Sequence, residues 1–132
     1  MGTYLSSDGE LRILLVEDSA EDAELTSIEL REAGLHVECR LVADEAGMRD
    51  TLATFRPHLI VSDLNLPGFS AASALKLGRE YAPNARFIVF TGASESEQAD
   101  LQGIDGWLCK TDAPNLPGMI RKLFHIPADS LM

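Results

Sequence analysis

LLVEDSAED, residues Leu14 to Asp22, decides how this chain folds. The apolar run Ile13-Leu14-Leu15-Val16 stops at two adjacent carboxylates, Glu17 and Asp18. A helix signal follows at once from Ser19 to Ala33, with Glu21, Asp22 and Glu24 in its first turns, where the helix dipole favours acids. Gly34 ends it. Extended back to Leu11, the apolar run fits a parallel strand buried on both faces. Within the helix, Leu25, Ile28 and Leu35 share a side and are expected to form the core stripe, while Leu30 falls elsewhere.

The same strand-then-helix unit recurs along the chain. Val37-Glu38-Cys39-Arg40-Leu41 alternates as an edge strand does, and Asp44 opens a helix carrying Met48, Leu52 and Phe55 at i, i+4 and i+7. Leu59-Ile60-Val61 is a buried-type strand ending at Asp63, with a turn at Pro67-Gly68 and a helix from Ser70 to Tyr81. Phe87-Ile88-Val89-Phe90 ends at Thr91-Gly92, and a short acidic helix is expected from Ser94 to about Leu101. Trp107-Leu108-Cys109 ends at Lys110. A last helix carries Leu116, Met119, Ile120 and Leu123, with Pro117 near its start and Arg121 and Lys122 near its end. The pattern is (βα)5: a single α/β domain with a doubly wound, parallel, five-stranded sheet. Right-handed crossovers and an alternating second strand favour the order 2-1-3-4-5, with a short or irregular fourth helix. The domain is expected over residues 11–125, between a polar flexible tail, 1–10, and a C-terminal tail, 126–132.

A length of 132 residues and 45% apolar composition suit one domain with one packed core. No apolar run approaches the ~18 residues of a membrane span, and no secretion signal is evident. Cys39 and Cys109 each sit inside an apolar strand and are expected to be small buried hydrophobes of a reducing, cytoplasmic compartment. The net charge of −10 argues against direct nucleic-acid or anionic-membrane binding. His36, His58 and His125 lie on separate elements without ligand spacing and are expected to be solvated or locally packed.

Ligands of open α/β sheets gather at the carboxyl ends of the strands, near the switch point. The strands end at Glu17-Asp18, Asp63, Thr91 and Lys110, so one rim receives three carboxylates, a hydroxyl and an ammonium. Acids so close together need a cation among them or raised pKa values. Oxygen-only ligands suit Mg2+ with a phosphoryl group, and Lys110 suits a phosphoryl oxygen. A carboxylate beside Mg2+ and lysine can attack phosphorus and become an aspartyl phosphate.

In order and position, LLVEDS, LIVSDLNLPG, IVFTGA and GWLCK resemble the motifs of a response-regulator receiver domain, over roughly residues 11–125. The resemblance implies a two-component phosphorelay protein with Asp63 as phosphoacceptor. It implies that Glu17 and Asp18 hold Mg2+, Asp18 more directly, with the Asn65 backbone carbonyl as a further ligand. Thr91 is then the switch hydroxyl, Lys110 the partner of the phosphoryl group and Trp107 the switch aromatic. The implied donor is a sensor histidine kinase or phosphotransfer protein, the implied recipient a downstream output protein or domain, and a weak homodimer is allowed for. Such a domain is no enzyme beyond its own phosphorylation and dephosphorylation. The chain departs from the family in two places. Thr111 follows Lys110 where the family has proline, often after a cis peptide that costs about 3–4 kcal/mol without it. The stretch from Thr91 to Lys110 is also about three residues short, which truncates or melts the fourth helix, part of the face that many receivers use for dimerisation and output, so a phosphorylation-driven dimer there is less expected. The alternative function is a receiver-like interaction module that signals without phosphorylation. An aspartate phosphatase would need Asp-x-Asp after the first strand, and a flavodoxin-type binder would need a phosphate-cradling loop there; neither is present.

Overall fold

The computed structural model describes residues 10–92 and 101–127. Its main sheet comprises β1 (Leu11–Val16), β2 (Val37–Val42), β3 (Leu59–Ser62), β6 (Arg86–Thr91) and β7 (Gly106–Cys109). A small ribbon of β4 (Asn65–Leu66) and β5 (Phe69–Ser70) follows β3. All four pairings of the main sheet are parallel, and its order is β2-β1-β3-β6-β7. Counting only the strands of that sheet, this is the expected 2-1-3-4-5.

Among the described residues four helices cover it: α1 (Ala20–Glu32), α2 (Glu45–Phe55), α3 (Ala71–Tyr81) and α4 (Leu116–Phe124). The first three are opened by side-chain caps. Ser19, Asp44 and Ser70 accept hydrogen bonds from the N–H groups of Asp22, Gly47 and Ser73. Strand alternation then sorts the core into two layers. Ile13, Leu15, Val61, Ile88 and Phe90 face α1 and α4, where they meet Leu30, Leu116 and Ile120. Leu14, Val16, Ile60, Phe87 and Val89 face α2 and α3, where they meet Met48, Leu52 and Leu77.

Several expectations need correction. Leu25 and Ile28 do not form the core stripe of α1: they are 58% and 40% exposed. The sheet-facing residues are Ala23, Ser27 and Leu30, spaced by four and three along the helix. Leu35 is buried, but beyond the helix, after Gly34 turns the chain at φ +92°. The Pro67-Gly68 turn joins two short antiparallel strands, with proline's fixed φ followed by Gly68 at φ +72°. Both cysteines are free and only half-buried. Burial pushes the Cys39 thiol up, while the hydrogen bond from Thr111 Oγ1 draws Cys109 down.

After Lys110 the chain coils into a 3-10 turn, Lys110–Asn115, and no described peptide is cis. The acidic helix expected from Ser94, and Ala93, lie outside the described residues apart from Leu101. So do most residues of the two tails, although Ile126 packs against the α1-side core. No described helix is long and apolar enough to cross a membrane.

Candidate functional site

The sheet ladder carries two acids to the rim. Glu17 N–H donates to the Val42 carbonyl and Asp63 N–H to the Val16 carbonyl, each at 2.9 Å. The pairing therefore runs one residue beyond β1 and β3 and anchors both backbones where the strands stop. Asp18 follows, and helix α1 starts two residues later, so the acids cannot drift away from the sheet.

Glu17, Asp18 and Asp63 each place a carboxylate oxygen within 4.8 Å of the other two. Their settings differ. Glu17 is buried, Asp63 half-buried and Asp18 exposed. One Glu17 oxygen accepts the Ser19 N–H at 3.1 Å, and Asp63 Oδ1 accepts the Leu64 N–H at 2.7 Å. These contacts leave Glu17 Oε1 and Asp63 Oδ2 for Lys110, whose Nζ lies 2.7 Å and 3.4 Å from them. Nζ also lies 2.9 Å from Asp22 Oδ2. Burial alone would lower the pKa of Lys110; hydrogen bonds to Glu17 and Asp22, with the charge of Asp63, carry it well above the ordinary lysine value. The ammonium is therefore fully charged at neutral pH.

Three converging carboxylates exceed what one ammonium offsets, and all their donors are hard oxygens. That set fits a divalent cation such as Mg2+. Like charges a few ångströms apart repel unless a cation sits among them. Asp18 is the carboxylate of the three most open to solvent.

The sequence marks Asp22 only as a helix-dipole acid and does not bring it into the site. It lies in the first turn of α1, which follows the strand-end acids directly. Thr91 closes β6 and is 2% exposed. Val89 and Phe87 point toward α3, so alternation sends Thr91 to that side as well. Trp107 pairs with Val89 in register and packs against the same side, half-buried. Thr91 and Trp107 thus lie on neighbouring strands, one pleat apart, on one face. The Trp107 indole N–H is buried with no hydrogen-bond partner among the described residues. Asn65 opens β4, two residues past Asp63.

No family model matches the sequence, and no curated protein matches it. Solved structures do. The chain is 28% identical to a two-component response regulator of the LuxR family from Aurantimonas, covering 89% of this chain and 86% of that one, with a TM-score of 0.72. A CheY-like receiver domain protein from Methanospirillum hungatei is 23% identical over 89% of this chain and 95% of its own, with a TM-score of 0.73. A response regulator from Burkholderia pseudomallei, solved with a phosphorylated aspartic acid, a calcium ion and citrate, is 21% identical over 90% of this chain and 69% of its own, with a TM-score of 0.70. These neighbours cover most of the chain at TM-scores of 0.70 to 0.73: the chain has the fold of the response-regulator receiver domains.

Proposed function

We propose that this protein is a phosphoacceptor switch. Asp63 takes a phosphoryl group from a phosphohistidine on a sensor histidine kinase or phosphotransfer protein, and the change alters the binding of a downstream output protein or domain. The observation that carries this reading is the meeting of Glu17, Asp18 and Asp63 within 4.8 Å, with the Lys110 ammonium against two of them.

Asp63 Oδ2 is the nucleophile. It forms a bond to phosphorus as the bond from phosphorus to the donor nitrogen breaks, and that electron pair returns to the imidazole. Oδ1 stays on the Leu64 N–H, which fixes the carboxylate plane during attack. Lys110, already 3.4 Å from Oδ2, draws negative charge from the phosphoryl oxygens. Glu17, Asp18 and Asp63, with the backbone carbonyl of Asn65, would hold Mg2+. When bound, the ion neutralises charge on the incoming phosphoryl group. Thr91 stands at the next strand end as the hydroxyl that answers the new group, and Trp107 lies one pleat below to register its movement.

Beyond its own phosphorylation and dephosphorylation the chain catalyses nothing, and it works in the cytoplasm. A groove of about 380 Å³ beside Lys110, lined by Asp22, Leu25, Ile28 and Leu116, gives a phosphodonor protein an apolar foothold next to the site. The test is intact mass after incubation with Mg2+ and acetyl phosphate. The expected result is a gain of one phosphoryl group that requires both Mg2+ and Asp63 and is absent in Asp63→Asn. If folded protein takes up neither Mg2+ nor phosphoryl, from acetyl phosphate or a phosphohistidine donor, the chain signals by interaction alone.

A further inference from the structure

The opposite end of the sheet carries a groove of about 710 Å³, bounded by the turns that precede β3 and β6 and by the ends of α2, α3 and α4. Its charged and titratable lining consists of Arg56, His58, Tyr81, Arg86 and His125, with no carboxylate among the lining residues. In a chain of net charge −10 this concentration of cationic and donor groups is unexpected. The two histidines, far apart in sequence, both line it.

Three further observations point to a ligand. First, Arg56 and His125 are the only non-glycine residues at positive φ among those described, at 54° and 57°. Each ends a helix, α2 or α4, in the left-handed conformation that glycine usually fills. A side chain in this conformation carries a backbone cost that glycine would avoid, so both positions hold their side chains at some expense. Second, the turn that presents Arg56 is pinned from outside: Arg12 Nε donates to the carbonyls of Phe55 at 2.9 Å and Arg56 at 3.0 Å. Third, His58 Nδ1 accepts the Arg12 backbone N–H at 2.9 Å. The neutral ring therefore carries its proton on Nε2, as a donor. Arg86 is held by Asp105 at 3.2 Å through one nitrogen and keeps its others. No carboxylate pairs with Arg56 among the described residues. The groove lining thus combines these donors with Leu52, Pro57, Pro83 and Phe124.

We propose that this groove binds a phosphate-bearing small molecule with a flat apolar body, of the nucleotide class. Arginine forks match phosphate oxygens in pairs. The volume falls within the range of small-molecule sites, roughly 300–1,000 Å³, and far exceeds what a bare phosphate fills. Half of the lining is apolar, which suits a ring and not a second anion.

The test is calorimetric titration of the full chain, at low ionic strength, with the four ribonucleoside monophosphates and their triphosphates. Adenosine and inorganic phosphate serve as separate arms. At least one nucleotide is expected to saturate a single site and to bind about tenfold or more tightly than either fragment. Arg56→Gly, which removes the guanidinium and relaxes the left-handed turn, is expected to weaken binding about tenfold or more while melting no earlier than the parent. Asp63→Asn is expected to bind as the parent does. The proposal is overturned if no nucleotide saturates, if inorganic phosphate alone binds as tightly, if Arg56→Gly binds unchanged, or if Asp63→Asn abolishes binding.

Discussion

The two ends of this sheet are built by different means. At the carboxyl end, short connections from β1 and β3 hold acids where the strands stop, and like charges face one another across a few ångströms. At the amino end, helix C-termini and the turns before β3 and β6 deliver arginines and histidines around an open groove, with His58 held by a backbone N–H and Arg86 by a carboxylate. The comparison separates two kinds of polar site. Repulsion at the carboxyl end is a standing demand for a cation. At the amino end the demand is met locally, by Arg12 on the α2 carbonyls and Asp105 on Arg86, and only part of the donor set is left over.

Replacing Lys110 with alanine should separate the ends most strongly. Phosphoryl uptake from acetyl phosphate is expected to slow by about a hundredfold, the scale for removing one preorganised charge from a transition state. Arg56→Gly should leave that rate unchanged. Time-resolved intact mass on both variants reads the contrast directly, and equal slowing would show that the ends are coupled. Arg12→Ala is the next largest effect. It frees two carbonyls at the end of α2, so the folded state is expected to lose about 1–2 kcal/mol in urea unfolding, with phosphoryl uptake intact.

Asp18→Asn sharpens the account of the acid end. Without metal it relieves repulsion and is expected to raise stability by a few tenths of a kcal/mol. With Mg2+ it should melt below the parent, because a metal ligand has gone. Thermal melts with Mg2+ and with a chelator distinguish the two; a loss in both conditions would mean that Asp18 is structural. The smallest effect concerns pH. Burial, then the charge of Arg12, lowers the pKa of His58. The unfolded chain therefore takes up a proton near pH 6.5 that the folded chain resists. The contribution of His58 is fully present above that pH and declines as pH falls through it. His58→Asn, which keeps an acceptor for the Arg12 N–H, should flatten the stability profile below about pH 6.5.

Much of this was legible in the sequence, for reasons that lie in particular residues. Continuous apolar runs at Leu11–Val16 and Leu59–Val61 read as strands buried on both faces, because helices cover both sides. Ser19, Asp44 and Ser70 announced helix starts, because their side chains take up the open N–H groups of the first turn. The acids and the lysine at strand ends followed once the strand order was known. The α1 stripe did not. Leu25 and Ile28 are the larger residues, but Ala23, Ser27 and Leu30 meet the sheet, and residue size alone carries no direction. The half-burial of Cys109 follows from the edge position of β7, which the expected strand order already implied.

By itself the sequence determined the order of strands and helices, their caps and the residue types at each strand end, because these depend on interactions within a few residues. Only the tertiary structure decided which distant groups meet. Lys110 and Glu17 are separated by 93 positions yet joined at 2.7 Å. Asp22 enters the site only because α1 leans its first turn over that lysine. His58 and His125 share a groove only because β3 and α4 close on the same end of the sheet. Such contacts arise from packing two apolar layers across a twisted sheet, and no local pattern encodes them.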